Sequence, residues 1–141
     1  MANLIGKKAL VCGASEGIGL ACAQALAELG ATVTLLARRE ATLQAALKTL
    51  ACTDSQKHAY IQADVLQLDL VLNDIQDSGF DILINNSAGP AGGALQKASE
   101  EQLMAVFQQH VLSSQRLLKA VLPHMQTQQW GRIVNIISTS V

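Results

Sequence analysis

The stretch Lys8-Ala9-Leu10-Val11-Cys12-Gly13-Ala14-Ser15-Glu16-Gly17-Ile18-Gly19 decides how this chain is to be read. Its first five residues are apolar apart from Lys8 and stop at a glycine, the mark of a short buried strand. From about Gly17, Ile18, Cys22, Ala25, Leu26 and Leu29 recur on one helical face, and Gly30 ends the run as a C-terminal glycine does. Three glycines therefore join a strand to a helix. A helix N-terminus offers free N–H groups and a favourable dipole to an anion. Gly13 permits the tight turn, Gly17 lets the backbone approach a diphosphate, and Gly19 lets the helix pack against the strand. Ser15, Glu16 and Ile18 complete the loop. A merely tight strand–helix turn is the plainer reading, and the position between strand and helix weighs against it.

The alternation continues along the chain. Thr32–Ala37 is a β-branched, apolar second strand. Leu43, Ala46, Leu47 and Leu50 mark a second helix. Ala59–Gln62 is a weaker third strand, and Leu68, Val71, Leu72 and Ile75 a third helix closed near Gly79. Phe80–Ile84 is a fourth strand, apolar almost throughout, as suits a sheet covered on both faces. Ser99-Glu100-Glu101-Gln102 has the form of a capping box. It opens one long fourth helix carrying Leu103, Val106, Phe107, Val111, Leu117, Leu118, Val121 and Leu122. That stripe is wider than one contact face needs, so part of it is expected to meet a second copy of the chain. Gly131–Ser138 is the fifth strand. The order βαβαβαβαβ implies an α/β fold, a doubly wound parallel sheet of five strands. Ligands of such sheets bind beyond the strand C-termini, where the strand order reverses.

Composition agrees with a packed sheet. Half of the 141 residues are hydrophobic, 15% are charged and the formal charge is −1. A disordered chain is thereby excluded. A nucleic-acid binder normally shows a basic face, and four aromatics make no base-stacking platform. No apolar run approaches the ~18 residues of a membrane span, and the first residues lack the apolar core of a signal peptide. Cys12, Cys22 and Cys52 form no C-x-x-C pair and read as buried free thiols of a cytoplasmic protein. His58, His110 and His124 adjoin no cysteine or acidic cluster, so no metal site is expected.

The glycine spacing G-x-x-x-G-x-G resembles that of the short-chain dehydrogenase/reductase family. Asp64-Val65 is similar to the family's adenine-contacting pair. Asn85-Asn86-Ser87-Ala88-Gly89 is similar to its Asn-Asn-Ala-Gly segment beside the adenosine ribose, with Ala88 where glycine often stands and Gly89 next to it. Gly131–Ser138 is similar to the strand that delivers the catalytic serine. The Asn-Asn-Ser-Ala-Gly-Pro loop is similar to that of some 3-oxoacyl-carrier-protein reductase-like members. The resemblance implies hydride transfer between a nicotinamide cofactor and a carbonyl or alcohol.

The second strand ends Ala37-Arg38-Arg39, where a free ribose 2′-OH usually meets an acid. Two guanidinium groups suit the 2′-phosphate of NADP instead, so NADP(H) is expected over NAD(H). Glu16 counts slightly against this, since some relatives that use NADP carry a basic residue there. It also reads as an acid favoured by the helix dipole. Ser138 matches the catalytic serine, with Thr139 and Ser140 as adjacent hydroxyls. His110 stands where the family often has a proton-relaying asparagine, and a structural helix-face histidine is the alternative.

The family's Tyr-x-x-x-Lys pair is absent from these residues, and Tyr60, the one tyrosine, lies in the third strand. The expectation is therefore that residues 1–141 form an incomplete dinucleotide-binding reductase domain lacking its C-terminal strands and helices, inactive alone. Its expected partners are a small carbonyl or alcohol, whose identity these residues do not specify, and further copies of the chain through the fourth helix. No nucleic acid and no membrane are expected. The alternative is a non-catalytic NADP(H)-binding module. A phosphoacceptor receiver is disfavoured by the absence of an acid after the first strand, and a methyltransferase by Arg38.

Overall fold

The computed structural model describes residues 3–53, 55–89 and 92–137. Five parallel strands, β1 (Lys8–Cys12), β2 (Thr32–Ala37), β3 (Ala59–Gln62), β4 (Ile82–Asn85) and β5 (Arg132–Asn135), form one sheet in the order β3-β2-β1-β4-β5. Helices α1 (Gly17–Glu28), α2 (Glu40–Leu47) and α3 (Leu72–Ser78) connect the first four strands. The chain steps outward from β1 to β3, then returns to the far side of β1 to lay down β4 and β5.

Two-residue periodicity divides the core. Ala9 and Val11 of β1 face a layer with Ala23, Ala27, Leu43 and Ala46 of α1 and α2. Leu10 and Cys12 face the opposite layer, with Ile75 of α3 and with Leu117, Val121 and Met125. A strand covered on both faces has no polar side, so the continuous apolar run of β1 is what this position demands. Burial pushes the Cys12 thiol up to about 12, since the thiolate has no solvation there. Cys22 is half-buried and Cys52 exposed, so the expectation of buried thiols holds fully for Cys12 alone.

The buried Gln56 and Asp81 find polar partners, as does the half-buried His58. Gln56 Nε2 donates to the carbonyls of Ala27 and Ala31, 2.8 Å each, closing the turn between α1 and β2. His58 accepts from Val33 N–H at Nδ1 (3.0 Å), which leaves Nε2 as the donor to Ala51 O (2.9 Å). Asp81 accepts from Lys8 N–H (2.9 Å) and lies 3.3 Å from His124 Nε2. Among the described residues no cluster of His, Cys, Asp and Glu could hold a metal. No helix among them is long and apolar enough to cross a membrane.

The fourth helix departs from the expected single rod. It comprises α4 (Glu100–Phe107), a π-helical turn over Gln108–Leu112, and α5 (Ser113–Thr127). The capping box is present: Ser99 Oγ accepts from Gln102 N–H and Gln102 Oε1 from Ser99 N–H. A π turn holds one more residue than an α turn and so rotates the faces of the next helix. In consequence Leu117 and Val121 of α5 are buried, whereas Leu103, Phe107, Val111 and Leu112 stay exposed. The third helix also begins later than its apolar residues imply, because Leu68 sits in a turn before it. Ser138 lies outside the described residues, and β5 ends at Asn135.

Candidate functional site

The strand order reverses at β1, and a cleft of about 530 Å³ opens beyond the C-terminal ends of β1, β2 and β4. Gly13, Ser15, Glu16 and Ile18 form one wall, and Arg38 and Arg39 one end. Asp64 and Val65 come from the segment after β3, and Asn86, Ser87, Ala88 and Gly89 from the segment after β4. These expected site residues thus meet at the place where doubly wound sheets bind ligands.

Gly17 and Gly19 stand outside this lining and act differently. Gly17 has φ +58°, and a Cβ built on it would meet nothing within 4 Å, so its backbone is open to an approaching group. Gly19 is buried, and a Cβ there would fall on the Gly13 carbonyl oxygen. The expectation that Gly19 brings α1 close to β1 is met as contact between two glycines. Asn86 fastens the loop from across the sheet: its Nδ2 donates to Gly13 O (3.3 Å) and Cys12 O (3.4 Å). Asp64 Oδ1 accepts from Leu66 N–H (2.9 Å), so one carboxylate oxygen is committed to its own turn.

Glu16 is the N-cap of α1 but caps none of its N–H groups. Its carboxylate lies 3.2 Å from Arg39 Nη2 instead. Glu16 thus stands at the N-terminus of α1, as the helix-dipole reading has it, and also pairs with Arg39.

The π turn brings two side chains to the loop after β4. Gln109 Nε2 donates to Ala88 O (2.7 Å), and His110 Nδ1 lies 2.9 Å from Ser87 Oγ. His110 lines a second cavity of about 1020 Å³, together with Asn85, Asn86, Ser87, Ser114 and Asn135. Its Nε2 is buried with no partner among the described residues, as is Asn85 Oδ1. Asn85 Nδ2 donates to Asn135 Oδ1 (2.8 Å), tying β4 to β5. Gln109 was not visible as a site residue in the sequence, because only the extra residue of the π turn directs it to the loop. Tyr60 lines neither cavity, and its hydroxyl donates to Glu40 Oε1 (2.8 Å).

A parallel doubly wound sheet with a glycine-loop cleft at its switch point defines a dinucleotide-binding class of protein. Within that class, a family model described as short chain dehydrogenase matches residues 7–141, and the chain belongs to that family. It is 38% identical over 136 residues to the 3-oxoacyl-(acyl-carrier-protein) reductase FabG of Vibrio cholerae, covering 95% of this chain and 55% of that protein. It is 33% identical over 143 residues to the ketoacyl reductase HetN of Nostoc sp., covering 98% and 50%. Among solved structures, L-sorbose reductase from Gluconobacter frateurii, complexed with NADPH and L-sorbose, superposes with a TM-score of 0.85 at 29% identity, covering 95% of this chain and 53% of that one. A 3-oxoacyl (acyl-carrier-protein) reductase from Agrobacterium tumefaciens with NADP bound gives 0.85 at 27% identity, covering 97% and 54%. The chain spans about half the length of the curated relatives it matches.

Proposed function

We propose that residues 1–141 form the cofactor-binding part of an oxidoreductase that transfers a hydride between NADP(H) and a carbonyl or alcohol, with a 3-oxoacyl thioester as the substrate class. The observation that carries this reading is the cleft itself, with an open glycine loop on one wall and two arginines at one end. Gly13, Ser15, Gly17 and Ile18 hold the diphosphate against the N-terminus of α1. Arg38 and Arg39 take the 2′-phosphate by charge and hydrogen bonds. Asp64 and Val65 border the adenine, and Asn86 to Gly89 the adjoining ribose. Bound there, NADPH supplies the hydride. Ser138 orients the carbonyl oxygen, and His110, held by Ser87, is one of the polar groups lining the neighbouring cavity. The 3-oxoacyl assignment draws support from the names of the similar reductases.

Calorimetric titration of the chain with NADPH and NADH tests the cofactor assignment. Tighter binding of NADPH is expected, and equal or tighter binding of NADH refutes it. The purified 141-residue polypeptide is expected to bind cofactor without turnover, because its one tyrosine is hydrogen-bonded to Glu40 and does not line the cleft. Carbonyl reduction by that polypeptide would refute this. Leu103, Met104, Phe107, Val111 and Leu112, exposed along one helical segment, support self-association of the chain through α4.

A further inference from the structure

Ser87 and His110 meet as a hydroxyl and a base, with Ser87 Oγ 2.9 Å from His110 Nδ1. The neighbouring Gln109 Nε2 donates to Ala88 O at 2.7 Å, so the loop and the π turn are joined at two consecutive positions. Both members of the pair line the cavity of about 1020 Å³. No charged side chain lines it among the described residues. Its one other titratable group is Cys12, whose thiol burial pushes up to about 12. Val65, Val111, Leu117, Ile136 and Ile137 supply an apolar wall. Two buried polar atoms of this lining, His110 Nε2 and Asn85 Oδ1, lack partners. Buried polar groups are normally satisfied, so the cavity suits an occupant that carries polar atoms beside apolar ones.

We propose that Ser87 and His110 form a nucleophile–base dyad that gives the chain a second activity, hydrolysis of esters and thioesters of short acyl chains through an acyl-Ser87 intermediate. In the tautomer with hydrogen on Nε2, Nδ1 accepts from the Ser87 hydroxyl. Ser87 Oγ attacks the acyl carbon while its proton passes to Nδ1. The N–H groups of Ala88 and Gly89, next in the chain, donate to no backbone carbonyl among the described residues and are available to the oxyanion. The bond from the acyl carbon to the leaving oxygen or sulfur breaks, and the alcohol or thiol departs with the proton from Nδ1. Water, deprotonated by the same nitrogen, then attacks the Ser87 ester. The carboxylic acid leaves, and Ser87 Oγ recovers its proton. No carboxylate lines the cavity to orient the imidazole, so the rate falls below that of a serine–histidine–acid triad. Ser87 also lines the neighbouring cleft, where a seated nucleotide competes with the acyl group.

The test treats the purified 141-residue chain with a fluorophosphonate and maps the adduct by mass spectrometry. It also follows hydrolysis of p-nitrophenyl butyrate and of the S-butyryl thioester of N-acetylcysteamine. A single adduct on Ser87 is expected, with both substrates hydrolysed above the buffer rate. Ser87→Ala and His110→Gln are each expected to lower that hydrolysis by about tenfold or more, with the circular dichroism of the native chain retained. Ser87→Cys keeps a nucleophile beside His110 and is expected to carry a butyryl adduct at that position. An adduct on Ser114 or Ser138 in place of Ser87, or none at all, overturns the proposal. So does hydrolysis unchanged in either of the first two variants, or Ser87→Cys without its adduct. Each of these failures leaves the hydride-transfer reading standing, since nucleotide titration tests that separately.

Discussion

Strands β4 and β5 lie side by side in parallel, Ile84 beside Val134, and their environments differ sharply. All four residues of β4 are buried, and none of β5 is. Their sequences, Ile-Leu-Ile-Asn and Arg-Ile-Val-Asn, are similar in apolar content. What separates them is the company each keeps. β4 has β1 on its other flank, and its two faces belong to the two core layers. β5 has one strand neighbour among the described residues. An apolar strand states what can be buried, and the surrounding elements decide how much is.

The largest test of this contrast is truncation of one apolar side chain in each strand. Leu83→Ala is expected to lower unfolding stability by about 2–5 kcal/mol, because Leu83 is fully enclosed. Val134→Ala, at a residue 43% exposed, is expected to lower it by less than about 1 kcal/mol. Urea unfolding compares the two, and losses of equal size would break the contrast.

A second test uses the enclosed end of β1. Cys12 has its pKa raised in the fold, so the unfolded chain loses the thiol proton first as pH rises. Stability is full below about pH 9 and declines toward about pH 12. The expected decline attributable to Cys12 is about 1 kcal/mol by roughly pH 10, and Cys12→Ala should remove it. Thiol labelling sharpens the point: Cys52 is expected to react first, Cys22 more slowly and Cys12 only on unfolding. Early labelling of Cys12 would contradict its enclosure.

The smallest effect belongs to α4, which buries no residue. Ser99→Ala removes its cap and should destabilise that helix by roughly 0.5–1 kcal/mol. Hydrogen exchange is expected to quicken in α4 with little change in β1 or β4. A global change would mean that α4 is coupled to the core more tightly than its exposure implies.

Much of this architecture is legible in the sequence, for identifiable reasons. Lys8–Cys12, Thr32–Ala37 and Ala59–Gln62 are strands over the residues that their composition marks. Ser99 and Gln102 announce their cap because both partners lie within one turn. The glycine loop is legible because strand, glycines and helix are consecutive. The π turn at Gln108–Leu112 is not, since its apolar residues fit an unbroken helix equally well. The pairs Glu16–Arg39 and Ser87–His110 each join residues 23 apart, so they exist only once the crossovers have set their elements side by side. For the same reason the place of Glu16 at a helix N-terminus is legible in the sequence, and its pairing with Arg39 is not. Ser138, the expected serine, lies outside the described residues.

The attachment of Asn86 to the glycine loop bears on the order in which the molecule is built. Synthesis completes the loop at Gly19, but the ribosome must add Asn86, 73 positions beyond Gly13, before that side chain can bind Gly13 O. Until then the Gly13 and Cys12 carbonyls lack that anchor, and the Ala14 N–H gains the Leu36 carbonyl only after β2 is made. A segment made early is therefore finished late. A nascent chain halted between β2 and β4 carries every glycine of the loop and the Leu36 anchor of Ala14, but not the Asn86 side chain that holds Cys12 and Gly13.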